Sequence, residues 1–227
     1  MIRFLGKNPT FAKKLQPIIH RAQNERRPRS QRSHRCMKFI IACFLPFSCL
    51  ASESLFNGKD LSQWRVDSKS KVTHWTAQDG VIHCQSGPKK AGSLLWTKKE
   101  FTDFTLSLDF KLGEGTIDSG VMIKNAHDQI QIGISGSLKR DLTASPYIPG
   151  KGYPVEGKEA IAAVKPKDWN TLKIKVEGKT YQTWLNGVPG VTYTSESAVE
   201  KGPLGLQLHA GKDMSISFRN LEITEKP

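Results

Sequence analysis

The sequence is short of cysteine where a secreted framework would need it. Of its four cysteines, Cys36, Cys43 and Cys49 fall in the first 49 residues, and only Cys84 follows. The later chain therefore cannot close an internal disulfide, and its stability must come from a packed core. Cys84 lies in the alternating run Val81-Ile82-His83-Cys84, which suits a small buried hydrophobe better than a nucleophile. Metal-binding spacings are also missing, with no His-Glu-x-x-His, no paired Cys-x-x-Cys and no Ca-loop pattern. The glycines from Gly133 to Gly136 do not stand between a strand and a helix, which excludes a nucleotide-binding βαβ unit. Helical periodicity is nearly absent, and no apolar run reaches the roughly 20 residues of a membrane-spanning helix.

Positive charge is abundant, but unevenly placed. Residues 1–36 carry ten Lys and Arg against the single acid Glu25, and so hold most of the net charge of +13. Downstream of Lys38 the balance is close to neutral, which argues against a nucleic-acid partner for the globular part. Met37-Lys38 opens an apolar run, 39–51, that ends at Cys49-x-Ala51 before the polar Ser52-Glu53-Ser54. A basic start, a short apolar stretch and a small-residue exit compose a secretory signal peptide. The expected organisation is a basic extension over 1–36, a signal peptide over 37–51 and one domain over 52–227, exported to the periplasm or beyond. A long n-region and a basic nucleic-acid-binding arm are the rival readings of residues 1–36. Lipid attachment at Cys49 is a further alternative, although Pro46-Phe47-Ser48 suits it poorly.

From Leu55 onward apolar residues recur with a period of two, broken by turn residues every eight to twelve positions. Phe104, Leu106, Leu108 and Phe110 alternate with Thr105, Ser107 and Asp109. The same pattern runs through Ile130 to Ile134, Leu172 to Val176 and Met214 to Phe218. Asp79-Gly80, Glu177-Gly178-Lys179 and Asn186-Gly187 supply tight turns, the last closing a hairpin over 180–193. The expected fold class is all-β, with one or two helical turns confined to 157–164. A long Pro/Gly-rich loop over 135–156 holds Arg140, Asp141, Tyr147, Lys151, Tyr153 and Glu156, and loops of that length tend to be functional.

Polar residues that share strand faces mark a candidate ligand surface: Lys124, Gln129 with Gln131, and Gln207 with His209. Amides and imidazoles match vicinal hydroxyls, and aromatic rings cover the apolar face of a pyranose. A carbohydrate is the expected partner.

Several motifs then fall in order: Leu55-Phe56-Asn57-Gly58-Lys59-Asp60-Leu61-Ser62-Gln63-Trp64, Trp75 with Asp79-Gly80-Val81-Ile82, Asp118-Ser119-Gly120-Val121, Trp184-Leu185-Asn186-Gly187, Gly205-Leu206-Gln207-Leu208-His209 and Phe218-Arg219-Asn220-Leu221. With them the chain resembles the bacterial 3-keto-disaccharide hydrolase family, also described as 3-keto-glucoside 1,2-lyase and 3-keto-2-hydroxy-glucal hydratase. The resemblance runs from Ser54 to Thr224. It implies a concanavalin A-like jelly-roll sandwich of two antiparallel sheets and cleavage of 3-keto-glycosides by elimination and hydration. Two departures stand out: Gln129 occupies a position where the family commonly has Glu, and Lys124 one where it often has Arg. An amide cannot serve as a general base. The groups expected to act are His209 or Glu156 as base, Lys124 and Arg140 as electrostatic stabilisers, and Tyr153 or Tyr147 as proton donor. Gln129, Gln131 and Gln207 are expected to bind substrate. No cofactor is evident, and a divalent cation is an alternative way to polarise the ketone. A non-catalytic carbohydrate-binding module is the competing reading.

Overall fold

The computed structural model describes residues 51–67 and 74–226. The expected basic extension, and all of the expected signal segment except Ala51, lie outside the described residues.

The described residues form fourteen strands in chain order: β1 (Glu53–Ser54), β2 (Trp64–Val66), β3 (Trp75–Gln78), β4 (Val81–Gln85), β5 (Ser93–Phe101), β6 (Phe104–Gly115), β7 (Asp118–Ile123), β8 (Gln129–Gly133), β9 (Pro146–Tyr147), β10 (Asn170–Glu177), β11 (Thr180–Leu185), β12 (Val188–Thr194), β13 (Gly202–Leu208) and β14 (Met214–Glu225). Among the described residues one short helix, α1 (Lys158–Ala162), is present, and it falls inside the segment expected to be helical. The strands form an eight-stranded sheet, β12-β11-β10-β6-β14-β4-β3 with β1 on β14, and a six-stranded sheet, β2-β5-β13-β7-β8-β9. Every pairing is antiparallel, as expected for a jelly-roll sandwich.

Alternation places one side of each sheet in a shared core. Leu106, Leu108 and Phe110 of β6, Leu172, Ile174 and Val176 of β10, and Ile216 and Phe218 of β14 come from the larger sheet. Val121 and Ile123 of β7, Ile130 and Ile132 of β8, and Leu204, Leu206 and Leu208 of β13 meet them from the smaller one. Burying each such side chain contributes about 1.5–3 kcal/mol. Trp75 is buried in the same core, and its indole donates to Ser93 Oγ at 3.0 Å, linking an edge of one sheet to the other. Cys84 is fully buried there too, and burial pushes its thiol far up from the usual range, so it is an inert packing group.

The turns form where the residues allow a left-handed backbone. Asn186 (φ 52°) and Gly187 (φ 83°) close the β11–β12 hairpin. The 135–156 loop is less irregular than its composition suggests: Pro146-Tyr147 pairs with β8, setting Tyr147 opposite Gln129. Isolated bridges Ile134 to Asp141 and Ile148 to Gly152 tie the rest down. The loop thus extends the smaller sheet at one edge and carries its aromatic residues alongside that sheet's outer face.

Candidate functional site

The outer face of the six-stranded sheet is where the polar residues gather. Gln207 lies opposite Leu94 of β5. With Leu206 opposite Val121, Gln207 stands beside Gly120, and Gly120 is paired in turn with Gln131. One row across four strands therefore reads Leu94, Gln207, Gly120, Gln131. The glycine is required by its neighbours, because a Cβ at position 120 would sit 2.3 Å from Gln129 Nε2. Its absence lets Gln129 lie across the strand.

A cavity of about 420 Å³ opens over this face, lined by Asp118, Gln131, Gln207 and His209 from the sheet side and by Ser135, Tyr147, Tyr153 and Lys212 around them. Its volume falls in the range of roughly 300–1,000 Å³ usual for ligand sites. The rings of Tyr147 and Tyr153 are 5.3 Å apart and inclined by 57°. They give the cavity an aromatic wall.

Asp118 is the centre of the charge. It is 2% exposed, and its Oδ1 accepts from Gln131 Nε2 at 3.0 Å. Gln131 Oε1 accepts from Gln129 Nε2 at 2.9 Å, and Gln129 Nε2 also donates to the Ser119 carbonyl at 3.1 Å. The two amides thus form a directed chain ending on the carboxylate. Asp118 Oδ2 is buried without a hydrogen-bond partner, with Lys212 Nζ at 3.7 Å and His209 Nε2 at 4.0 Å. An acceptor oxygen left unpaired in a cavity costs free energy until a ligand donor meets it. Gln207 Oε1 is in the same condition.

His209 is the exposed member of the group. Its Nδ1 lies 2.7 Å from the Ala210 carbonyl, which can only accept, so Nδ1 carries a hydrogen and Nε2 is the nitrogen that faces Asp118. Burial pushes the Tyr153 phenol up to about 12, against a smaller opposing effect of Ser135, so this hydroxyl holds its proton at neutral pH.

Six of the nine residues singled out from the sequence therefore converge: Gln129, Gln131, Tyr147, Tyr153, Gln207 and His209. Three do not. Lys124 follows the end of β7 with φ 61°, is 3% exposed, and donates its ammonium to the carbonyls of Gly178 and Glu200. Burial lowers its pKa, and it fastens two loops instead of facing a ligand. Arg140 and Glu156 bind one another through both carboxylate oxygens and do not line the cavity. That pairing lowers the Glu156 pKa and occupies the lone pairs a base would use. Conversely, Asp118, Ser135, Gly136 and Lys212 had not been singled out. Asp118 was visible only as the first residue of a matching motif.

Among the described residues, no group of three or more His, Cys, Asp or Glu is placed to hold a metal ion. At the cavity, Asp118 and His209 are joined by the Lys212 ammonium, a cation already beside the carboxylate. The donor set fits a divalent ion poorly. Among the same residues, no helix is long and apolar enough to cross a membrane.

A model of the 3-keto-alpha-glucoside-1,2-lyase-like domain matches residues 51–224. No curated protein sequence matches the chain. Among solved structures, two of a candidate glycosyl hydrolase from Parabacteroides distasonis ATCC 8503 share the fold. One is 22% identical with a TM-score of 0.58, covering 78% of this chain and 100% of that one. The other is 20% identical with a TM-score of 0.57, covering 78% and 94%. The carbohydrate-binding module CBM66 from Bacillus subtilis is 15% identical with a TM-score of 0.50, covering 74% and 98%.

Proposed function

The chain belongs to the 3-keto-alpha-glucoside-1,2-lyase-like domain family, and from that premise we propose that it is an exported enzyme cleaving 3-keto-glycosides, with His209, Asp118, Lys212 and Tyr153 as its working groups. The observation that carries this reading is the buried Asp118 Oδ2, without a hydrogen-bond partner, beside an imidazole and an ammonium in an aromatic-walled cavity. Such a cluster supplies a base, a charge to steady the protonated base, and a cation for a developing oxyanion. Export is supported by the composition of residues 37–51.

The chemistry follows from the ketone. A carbonyl at carbon 3 acidifies the hydrogen on carbon 2, and the His209 Nε2 lone pair removes it. The Asp118 carboxylate stabilises the resulting imidazolium, and Lys212 stabilises the enolate oxygen. The bond from carbon 1 to the glycosidic oxygen then breaks, with that oxygen taking the Tyr153 phenolic proton. Water next adds across carbons 1 and 2 of the enone, hydroxyl to carbon 1 and proton to carbon 2. The proton on His209 returns to the Tyr153 phenolate, and the net reaction is hydrolysis.

Incubating the purified protein with a chromogenic 3-keto-glucoside, with and without chelator, tests the reading. Release that persists in chelator and is lost in His209→Ala supports it; no release by the unaltered protein sinks it. The second reading is a non-catalytic carbohydrate-binding module, favoured by the amide at Gln129 and the run of Gln129, Gln131 and Gln207 along one face. Saturable glycan binding without release supports that alternative.

A further inference from the structure

A second hollow adjoins the first. It has a volume of about 290 Å³ and is lined by Leu94, Met122, Ala126, Gly92 and Asp67, together with Gln207 and His209. The last two also line the larger cavity. Gln207 and His209 therefore form a shared wall, with the charged, tyrosine-walled space on one side and a space with leucine, methionine and alanine on the other.

The register explains the asymmetry. Leu94 and Gln207 are direct cross-strand neighbours, and Met122 lies opposite Gly205, two residues before Gln207 on β13. Gly205 leaves the strand low there, since a Cβ at that position would meet the Trp96 ring at 2.8 Å and Met122 Cβ at 3.2 Å. The outer face thus changes from amide and carboxylate to apolar within one strand spacing, at Gln207. Gln207 Oε1, buried and without a partner, stands at the change.

We propose that the smaller hollow is the leaving-group subsite: a glycoside lies across Gln207 and His209, with its keto-sugar over Asp118 and its aglycone against Leu94 and Met122. This rests on the function proposed above and adds the class of aglycone. The subsite takes a neutral ring with an apolar face, such as a cycloalkyl or aryl group or the apolar face of a second pyranose. The glycosidic oxygen then falls at the shared wall, where His209 is within reach of the sugar.

The test compares methyl and cyclohexylmethyl 3-keto-glucosides, whose leaving alcohols are of similar acidity but differ in apolar bulk. The unaltered protein is expected to prefer the larger aglycone by roughly tenfold or more in kcat/KM, the discrimination typical of apolar pockets. Leu94→Trp, which fills the hollow, and Leu94→Ser, which removes its apolar wall, should each bring that ratio close to one, with the greater loss falling on the cyclohexylmethyl glycoside. A urea midpoint close to that of the unaltered protein shows that each variant has folded. A ratio near one in the unaltered protein, or one unmoved by both variants, overturns the subsite and leaves the enzyme reading standing. Turnover of neither glycoside by the unaltered protein overturns both.

Discussion

Gln131 Nε2 donates to Asp118 Oδ1 across 3.0 Å, and that one bond fixes the direction of the buried amide chain behind the cavity. Because Asp118 can only accept, Gln131 must turn its NH₂ towards the carboxylate and its oxygen towards Gln129. Gln129 must then donate, to Gln131 Oε1 and to the Ser119 carbonyl. An amide at position 129 satisfies this chain, and an ionised carboxylate cannot. The carboxylate on this face is Asp118, on the neighbouring strand β7.

Gln129→Glu is accordingly expected to lower stability at neutral pH by about 2–4 kcal/mol, because it buries an anion against two acceptors. The loss should shrink as pH falls and the new carboxyl protonates and regains a donor. Urea denaturation at pH 7 and pH 5 measures both. A variant as stable as the unaltered protein at pH 7 would contradict the directed chain.

Asp118→Asn keeps the shape and the acceptor for Gln131 but removes the charge facing His209 and Lys212. Turnover should fall on the order of 10²-fold, the scale of losing one electrostatic stabiliser, with the urea midpoint little changed. If activity survives intact, Asp118 is a structural acid and the site must be reassigned.

The strands were legible in the sequence because β6, β10 and β14 each have one face in the core and one in solvent. β7 was not legible in the same way. All six of its residues are buried, so no alternation reports which side chains face the ligand surface. That is why Asp118 passed as a motif residue. Lys124 misled for a related reason: its face was extrapolated along a strand that ends at Ile123, and its positive φ redirects the side chain into the body of the protein. Arg140 and Glu156 were placed correctly in a loop rich in functional residue types, but sixteen positions of separation hid that they satisfy each other. Tyr147 and Tyr153, from the same loop, do reach the cavity, because Pro146-Tyr147 pairs with β8.

Lys124→Met tests that correction. The two carbonyls that Lys124 holds, on Gly178 and Glu200, lose their donor, and the expected cost is about 1–3 kcal/mol of stability. Turnover per folded molecule should be unchanged. A selective loss of kcat with an unaltered urea midpoint would return Lys124 to the site.

Tyr153 gives a pH signature. Its phenol is raised from 10.0 to about 12 in the folded protein, so the folded state holds this proton more tightly than the unfolded one. The stability it confers is complete below pH 10 and is lost as pH rises through the window from about 10 to 12. Compared with Tyr153→Phe, the unaltered protein should therefore lose stability over that window, visible as converging or crossing thermal midpoints. The Phe variant should also lose kcat at neutral pH, since no phenolic proton remains for the leaving oxygen.

Gly136 brings the loop backbone close to the carboxylate, and a Cβ built there would stand 2.8 Å from Asp118 Oδ2. The φ of Gly136 is not in the left-handed region, so an alanine is resisted by the carboxylate and not by its own backbone. Gly136→Ala must push Asp118 away from His209 and Lys212 or displace the loop that carries Tyr153. In either case the charged cluster opens while the core, which lies on the other face of the sheet, is untouched. Turnover should drop at least tenfold, since misplacement by an ångström costs up to about 10²-fold, with a change in stability under about 1 kcal/mol. Gly150→Ala is the control in the same loop: it has open space but a φ of 81°, so it should strain the backbone and cost stability without moving Asp118. If the two alanines behave alike in activity, close contact with Asp118 is not what position 136 contributes.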